Sequence, residues 1–321
     1  MPHLELVDCA LGNDASSETG ETLDVVTVFL RGGLGNQMFQ YALGLNLAKK
    51  NRCPLVLDTV FLQDRFPRRN FTYRTYDMDV FAIDPSFTVL SDAADTFPIP
   101  GLWLGLDITG ILARRVSGSQ TLIREKSKVF DPSVFAAKGD VLLYGRWQSE
   151  EYFAGIADDV RTAFKFRHRL EGEAETLAEK IVAVNSVSLH VRRGDYVTFN
   201  NVERRMGATD LAYYDRAAKY IGERVTNPIF FLFSDDIQWC KKNVAIPFPT
   251  TYVDDISSGP KAAFHLELMS LCKHNITTNS TFSWWGAWLN RNSRKILIAP
   301  KQWYANASLK ENIVPTGWMR I

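Results

Sequence analysis

Residues 186–196, Ser-Val-Ser-Leu-His-Val-Arg-Arg-Gly-Asp-Tyr, decide the fold class. Val187, Leu189 and Val191 alternate with Ser188 and His190, a period of two that predicts a strand. The strand runs straight into Arg192, Arg193, Gly194 and Asp195. In an open α/β sheet, ligands are held at the carboxyl ends of strands. Two adjacent guanidiniums fork onto phosphate oxygens, and a glycine lets a ligand come close. Taken alone, the stretch reads as well as a solvated turn in which Asp195 pairs with an arginine.

The surrounding chain separates these readings. Pro228–Phe233 is an apolar run ending in Ser234-Asp235-Asp236, and Thr251–Val253 is a short one. Asn275–Thr278 reads as a strand leading through Asn279-Ser280-Thr281 into a helix over Phe282–Leu289, for which Ser280 or Thr281 is a natural N-cap. Helical spacing over Leu211–Ile221 and Ala263–Cys272, and a last strand over Lys295–Ala299, complete an alternation that predicts a parallel sheet with crossover helices. Three strand ends then share one edge: His190 with Arg192 and Arg193, Ser234 to Asp236, and Asn279 to Thr281. Two arginines and a helix N-terminus with hydroxyls suit a diphosphate. An ionised carboxylate such as Asp235 only accepts hydrogen bonds, which suits the ring N–H and amino group of guanine.

The first half opens in the same way. The apolar run Val25 to Leu30 is followed by Arg31-Gly32-Gly33-Leu34-Gly35-Asn36-Gln37, then by Met38, Tyr41, Ala42, Leu45 and Ala48 at helical spacing. Gly33 and Gly35 supply two glycines of a dinucleotide fingerprint, and Asp58 follows about twenty residues on. Met38 stands where the third glycine belongs, which disfavours a dehydrogenase. Arg65 to Tyr76 mixes arginines with aromatics and reads as a loop, either solvated or touching a small polar substrate. Val141–Tyr144 reads as a strand, Tyr152 to about Phe166 as a helix, and Ala174–Val182 as another.

Composition bounds the function. The 321 residues are 46% hydrophobic and 23% charged, which suits two globular domains or one large one. A net charge of +1 offers no global field for nucleic acid, so any anion site is local. The four cysteines are scattered without a Cys-x-x-Cys pair, which argues against a zinc site or a disulfide framework and for a reducing, cytoplasmic setting. No apolar run is long enough to span a bilayer, and peripheral membrane association stays open. Residues 1–23 are polar and irregular, and read as a disordered or loosely attached extension.

Four segments together resemble the bacterial α-1,2-fucosyltransferases, glycosyltransferase family 11. They are Arg31 to Ala42 (Arg-Gly-Gly-Leu-Gly-Asn-Gln-Met-Phe-Gln-Tyr-Ala), His190 to Tyr196, Phe233 to Asp236, and Leu268 to Asn275 running on to the Trp-rich block Asn279 to Asn290. The resemblance implies an α/β fold of two facing Rossmann-like domains with parallel sheets, the GT-B arrangement. Residues 24–160 would form the acceptor side and 161–321 the GDP-fucose side, with the last residues packing back on the first domain. It implies inverting, metal-independent transfer of L-fucose from GDP-β-L-fucose to the 2-hydroxyl of a galactose-terminated glycan, without a cofactor. By position, Arg192 would hold the donor phosphates and stabilise the departing GDP. His190 and Asp235 would contact guanine or ribose, Ser280 and Thr281 the phosphates, and Asn36 and Gln37 the fucose and acceptor. The general base is unassigned, with Asp195 a weak candidate.

Two features depart from that expectation, and one tripeptide, common by chance, points weakly elsewhere. His265-Leu266-Glu267 occupies a stretch where the family usually has an acidic residue followed by leucine. Asp77-Met78-Asp79 resembles the Asp-x-Asp of metal-dependent glycosyltransferases. Residues 1–23 have no counterpart among the shared segments. The rival expectation is a non-catalytic GDP-sugar or glycan-binding protein that kept the fold.

Overall fold

A computed structural model of the protein describes residues 24–63, 65, 72–83, 89–90, 120–193 and 209–321. The expected extension (1–23), the core of the basic-aromatic patch (66–71) and Gly194 to Tyr196, Asp195 among them, lie outside the described residues.

Strand β1 (Val26–Phe29) is buried throughout, as its unbroken apolar run requires of a strand covered on both faces. Helix α1 (Leu34–Asn51) follows, closing on Arg52 in the left-handed region at φ 56°. It lies close over the sheet because Gly44 has no side chain; a Cβ there would run into Val28 Cγ2. Next come β2 (Leu55–Asp58), a short α2 (Val60–Gln63), β3 (Val89–Leu90), β4 (Thr121–Arg124) and β5 (Val141–Tyr144). The first sheet has the order β3-β2-β1-β5-β4, and these neighbours all run parallel.

Helices α3 (Ala157–Ala163) and α4 (Glu173–Ala183) lead to the second sheet. Its elements are β6 (Asn185–Val191), α5 (Leu211–Gly222), β7 (Pro228–Ser234), α6 (Ile237–Asn243), β8 (Thr250–Val253), α7 (Ala263–Leu271), β9 (His274–Ile276), α8 (Thr281–Leu289), β10 (Leu297–Ala299) and β11 (Met319–Arg320). The order is β11-β10-β9-β6-β7-β8, again parallel. The fold is thus the expected pair of parallel Rossmann-like sheets. Residue 160, the expected division, falls inside α3.

The helix expected from Tyr152 to Phe166 is two 3₁₀ turns followed by α3. Phe153 leaves helical geometry (φ −142°, ψ 12°) and stacks its ring 5.3 Å from that of Trp285, so tertiary burial overrides local propensity. Strand β4 carries no sequence signal because its burial is partial, leaving no clean alternation.

One hydrophobic cluster joins the two halves, and the Trp-rich helix α8 is its centre. Phe39 of α1 sits 4.5 Å from Trp284 and 4.9 Å from Trp285, ring centre to ring centre. Trp285 Nε1 also donates to the Gly35 carbonyl at 2.9 Å. Each such aromatic pair adds about 0.5–1.5 kcal/mol beyond its burial. The tail reaches back as well: Phe130 N donates to Asn312 Oδ1 at 2.9 Å, and Asn312 N to the Lys128 carbonyl at 3.1 Å. Cys53, Cys240 and Cys272 are free thiols. Among the described residues no helix is long and apolar enough to cross a membrane.

Candidate functional site

Each sheet has one place where the strand order reverses. In the second sheet the chain lays β7 and β8 on one side of β6, then returns to lay β9 and β10 on the other. The reversal leaves a crevice at the carboxyl end of β6, where His190, Arg192 and Arg193 stand. In the first sheet β1 has the same place, and its carboxyl end carries the Arg31 to Gln37 turn. The starts of α1 and α8 meet there. A Cβ on Gly35 would lie 2.6 Å from the Thr281 carbonyl carbon. Neither Gly33 nor Ser280, the two N-cap residues, caps its helix with a side-chain hydrogen bond. Both helix starts therefore present amide N–H groups that no N-cap side chain occupies, a setting that favours anions and polar oxygens.

On the β6 side, Arg192 Nη1 pairs with Asp235 Oδ2 at 2.9 Å, and Arg193 N donates to Asp235 Oδ1 at 2.9 Å. Asp235 thus gives one oxygen to each arginine, a task that its reading as a guanine contact did not include. The cause is register: Val191 is opposite Ser234, which brings the next residues of β6 and β7 together. Arg193 is turned away from that role. Its guanidinium lies 3.7 Å from the Trp239 ring centre, and its Nε 3.3 Å from Asp236 Oδ2. Asp236 in turn caps α6 by accepting from Trp239 N at 3.1 Å.

His190 is buried, and its Nδ1 has no hydrogen-bond partner among the described residues. Burial, with Arg192 and His265 adding to it, pushes its pKa down to about 3, so the imidazole is neutral at physiological pH. A neutral ring with one nitrogen unused can accept or donate to a ligand. Ser280 is buried at the α8 start with its hydroxyl not used in capping, and Thr281 stands beside it against Gly35.

On the β1 side, Asn36 Oδ1 accepts from Gln148 Nε2 at 2.7 Å, and Gln148 Oε1 accepts from the buried Tyr304 hydroxyl at 2.9 Å. This chain fixes the orientation of the Asn36 amide from both halves of the molecule. Nothing local in the sequence marks Gln148 or Tyr304 for this part. Gln37 is not where the resemblance placed it. It is fully buried, its Nε2 donating to the carbonyls of Gly32 (2.9 Å) and Thr75 (2.8 Å) and its Oε1 accepting from Asp77 N (2.9 Å). Its amide ties the Thr75–Asp77 loop to the glycine turn instead of meeting a sugar.

The Asp-x-Asp is engaged elsewhere too. Asp79 grips Lys261 with both oxygens at 2.7 Å, and Asp77 Oδ1 accepts from the Thr75 hydroxyl at 2.6 Å. Asp195 lies outside the described residues.

His265 is buried, with Nε2 hydrogen-bonded to the Asp254 carbonyl at 2.9 Å. Glu267 has an oxygen, Oε2, that is buried without a hydrogen-bond partner among the described residues, and burial pushes its pKa up to about 7 from 4.5. The folded protein therefore keeps a proton there that the unfolded chain loses. The resulting stability is complete below about pH 4.5 and is lost as the pH rises through 7. Glu267→Gln is expected to equal the parent in thermal melts below pH 4.5 and to melt higher above pH 7. His190 contributes in the opposite sense, losing stability as the pH falls from 6.5 toward 3, but equally in both proteins. Equal melting temperatures at about pH 8 would mean that the Glu267 carboxylate is solvated.

Comparison with known proteins bears on this arrangement. The family profile described as Glycosyl transferase family 11 matches residues 124–321. An α-1,2-colitosyltransferase of Escherichia coli is 33% identical over 308 residues, covering 93% of this chain and 99% of the relative. The O-antigen biosynthesis glycosyltransferase WbnK of Escherichia coli is 30% identical, covering 91% and 99%. Among solved structures, a mutant of Arabidopsis thaliana FUT1 in complex with GDP superposes with a TM-score of 0.51 at 11% identity, covering 88% of this chain and 71% of that one. That likeness supports the two-sheet GT-B fold alone.

Proposed function

Because the chain belongs to glycosyl transferase family 11, we propose that it transfers L-fucose from GDP-β-L-fucose to the 2-hydroxyl of a terminal β-galactose. The observation that carries this reading is Arg192, held by Asp235 at the carboxyl end of β6, where the strand order of the second sheet reverses. Anionic leaving groups are neutralised at such positions. The acceptor oxygen attacks the anomeric carbon opposite the diphosphate. As the new C–O bond forms, the bond from the anomeric carbon to the phosphate oxygen breaks, and its electron pair leaves with GDP. The hydroxyl proton passes to a base not assigned among the described residues.

Arg192, with Ser280 and the α8 amides, meets the charge growing on the diphosphate. His190, neutral and with Nδ1 unpartnered among the described residues, lies within the same crevice for the nucleoside. Asn36, oriented by Gln148, faces sugar and acceptor from the other half.

The deciding assay offers GDP-fucose with lactose, N-acetyllactosamine and other β-galactosides, and reads product mass and linkage. GDP-colitose belongs beside it as donor, since a relative is named for colitosyl transfer. Binding of GDP without release of sugar to any acceptor would favour a binding protein over an enzyme, the reading that His265 in place of an acidic residue supports. Chelation is expected to leave turnover intact, because Asp79 is engaged with Lys261 and Asp77 with Thr75. Loss with EDTA and rescue by manganese would overturn the metal-independent mechanism.

A further inference from the structure

The first sheet carries a second concentration of charge that the transfer reaction does not use. Strands β1, β5 and β4 are neighbours, and each ends near an arginine on the carboxyl edge. Arg31 stands two residues past β1, Arg124 is the last residue of β4 and lies opposite Tyr144, and Arg146 stands two residues past β5. Arg31 and Arg124 gather around Tyr144, and Arg146 stands close enough to Arg31 to act on its charge. The guanidinium carbon of Arg31 is 5.4 Å from its ring centre and that of Arg124 is 5.7 Å from it; Arg31 Nη1 donates to the hydroxyl at 2.7 Å.

The acid facing them is Glu125, and it is already committed. It accepts from the backbone N–H groups of Arg146 (3.1 Å) and Trp147 (3.0 Å) and pairs with Lys128 at 2.7 Å. Among the described residues, three arginines and Lys128 against one carboxylate leave an excess of three positive charges in this patch, on a chain whose net charge is only +1. No carboxylate pairs with Arg31, Arg124 or Arg146 among the described residues. Arg31 is itself largely desolvated: burial lowers its pKa and the nearby Arg146 adds to that, while Tyr144 and Glu125 only partly oppose the shift.

We propose that Arg31, Arg146 and Arg124 form an oxyanion subsite around Tyr144 that takes a carboxylate or phosphate carried by the acceptor glycan. The subsite belongs to the acceptor because Arg31 leads directly into the glycine turn, where a Cβ on Gly32 would lie 2.5 Å from Asn36 Nδ2. It is built on the first sheet, whereas the diphosphate of the donor is assigned to Arg192 and Ser280 on the second. The placement rests on the reading of Asn36 as an acceptor-side group. Guanidiniums stacked near aromatic rings and presented as forks suit planar or tetrahedral oxyanions.

The test compares three acceptors with GDP-fucose: a neutral galactosyl-N-acetylglucosamine, its 1-phosphate, and a galactosyl-glucuronate. The parent enzyme is expected to show a KM roughly ten- to hundredfold lower for one anionic acceptor than for the neutral one, the scale of charge-assisted hydrogen bonds. Which anionic arm gains identifies phosphate or carboxylate as the source. In Arg31→Gln and Arg146→Gln the ratio of neutral to anionic KM is expected to fall toward one. Should Arg31→Gln fail to fold, Arg146→Gln and the exposed Arg124→Gln carry the comparison. Calorimetry of the two anionic disaccharides, with GDP saturating the donor pocket, needs no turnover. Binding that disappears in the variants would uphold the subsite even if no acceptor were fucosylated. Equal use of neutral and anionic acceptors by the parent, or a preference that survives in the variants, would overturn it.

Discussion

Arg192→Ala is expected to lower kcat by about 10²- to 10³-fold, the usual effect of removing a donor aimed at charge that develops in the transition state. GDP affinity should weaken as well, by roughly 1.5–3 kcal/mol for each charge-assisted hydrogen bond that the guanidinium no longer makes. The larger effect belongs in kcat, because the charge on the diphosphate is greatest as the glycosidic bond breaks. Arg192→Lys keeps the charge without the fork and should fall between the two. Asp235→Asn separates holding from chemistry. The carboxylate pairs with Arg192 at 2.9 Å and accepts from Arg193 N at 2.9 Å, so neutralising it frees the guanidinium without removing it. Steady-state kinetics with calorimetry of GDP would check the series. Near-normal turnover by Arg192→Ala would remove the residue from the reaction, whatever its place in the sheet.

Much of this geometry is legible in the sequence because a parallel sheet sends all its strand ends to one edge. That rule alone sends His190, Arg192, Asp235 and Ser280 to one edge, and in the structure Arg192 pairs with Asp235 at the end of the strand that carries His190. What each group does there depends on register, which residue types alone do not encode. Asp235 meets Arg192 only because Val191 aligns with Ser234. Asn36 is oriented by a glutamine 112 residues away, itself bound by a tyrosine 156 residues further on, and no local pattern points to either. Gln37 looked open because the turn carrying it is polar, yet the loop that consumes its amide lies 38 residues downstream. The Trp-rich helix announced its burial by being apolar on nearly every side, but not that the other half would cover it.

Gly35 offers the sharpest link between packing and reaction. A methyl group there would lie 2.6 Å from the Thr281 carbonyl carbon and 2.7 Å from its oxygen, both backbone atoms that no rotamer change can move. Gly35 is also fixed from behind, since its own carbonyl accepts from Trp285 Nε1 at 2.9 Å. The two helix starts must therefore separate, at an overpacking cost of roughly 1–3 kcal/mol. Separation carries Asn36 away from Arg192, and a displacement of about 1 Å is enough to cost roughly a hundredfold in rate. Gly35→Ala is accordingly expected to fold, to melt a few degrees lower, and to lose about 10²-fold or more in kcat. GDP binding should suffer less than kcat, because Arg192, Asp235 and His190 stand on the second sheet and only the Ser280–Thr281 end of the donor site lies at the altered junction. Gly155→Ala is the matched control, since a Cβ there meets nothing within 4 Å. If Gly35→Ala turned over like Gly155→Ala, the halves would have to react without this close approach, and the junction of α1 with α8 would be a matter of stability alone.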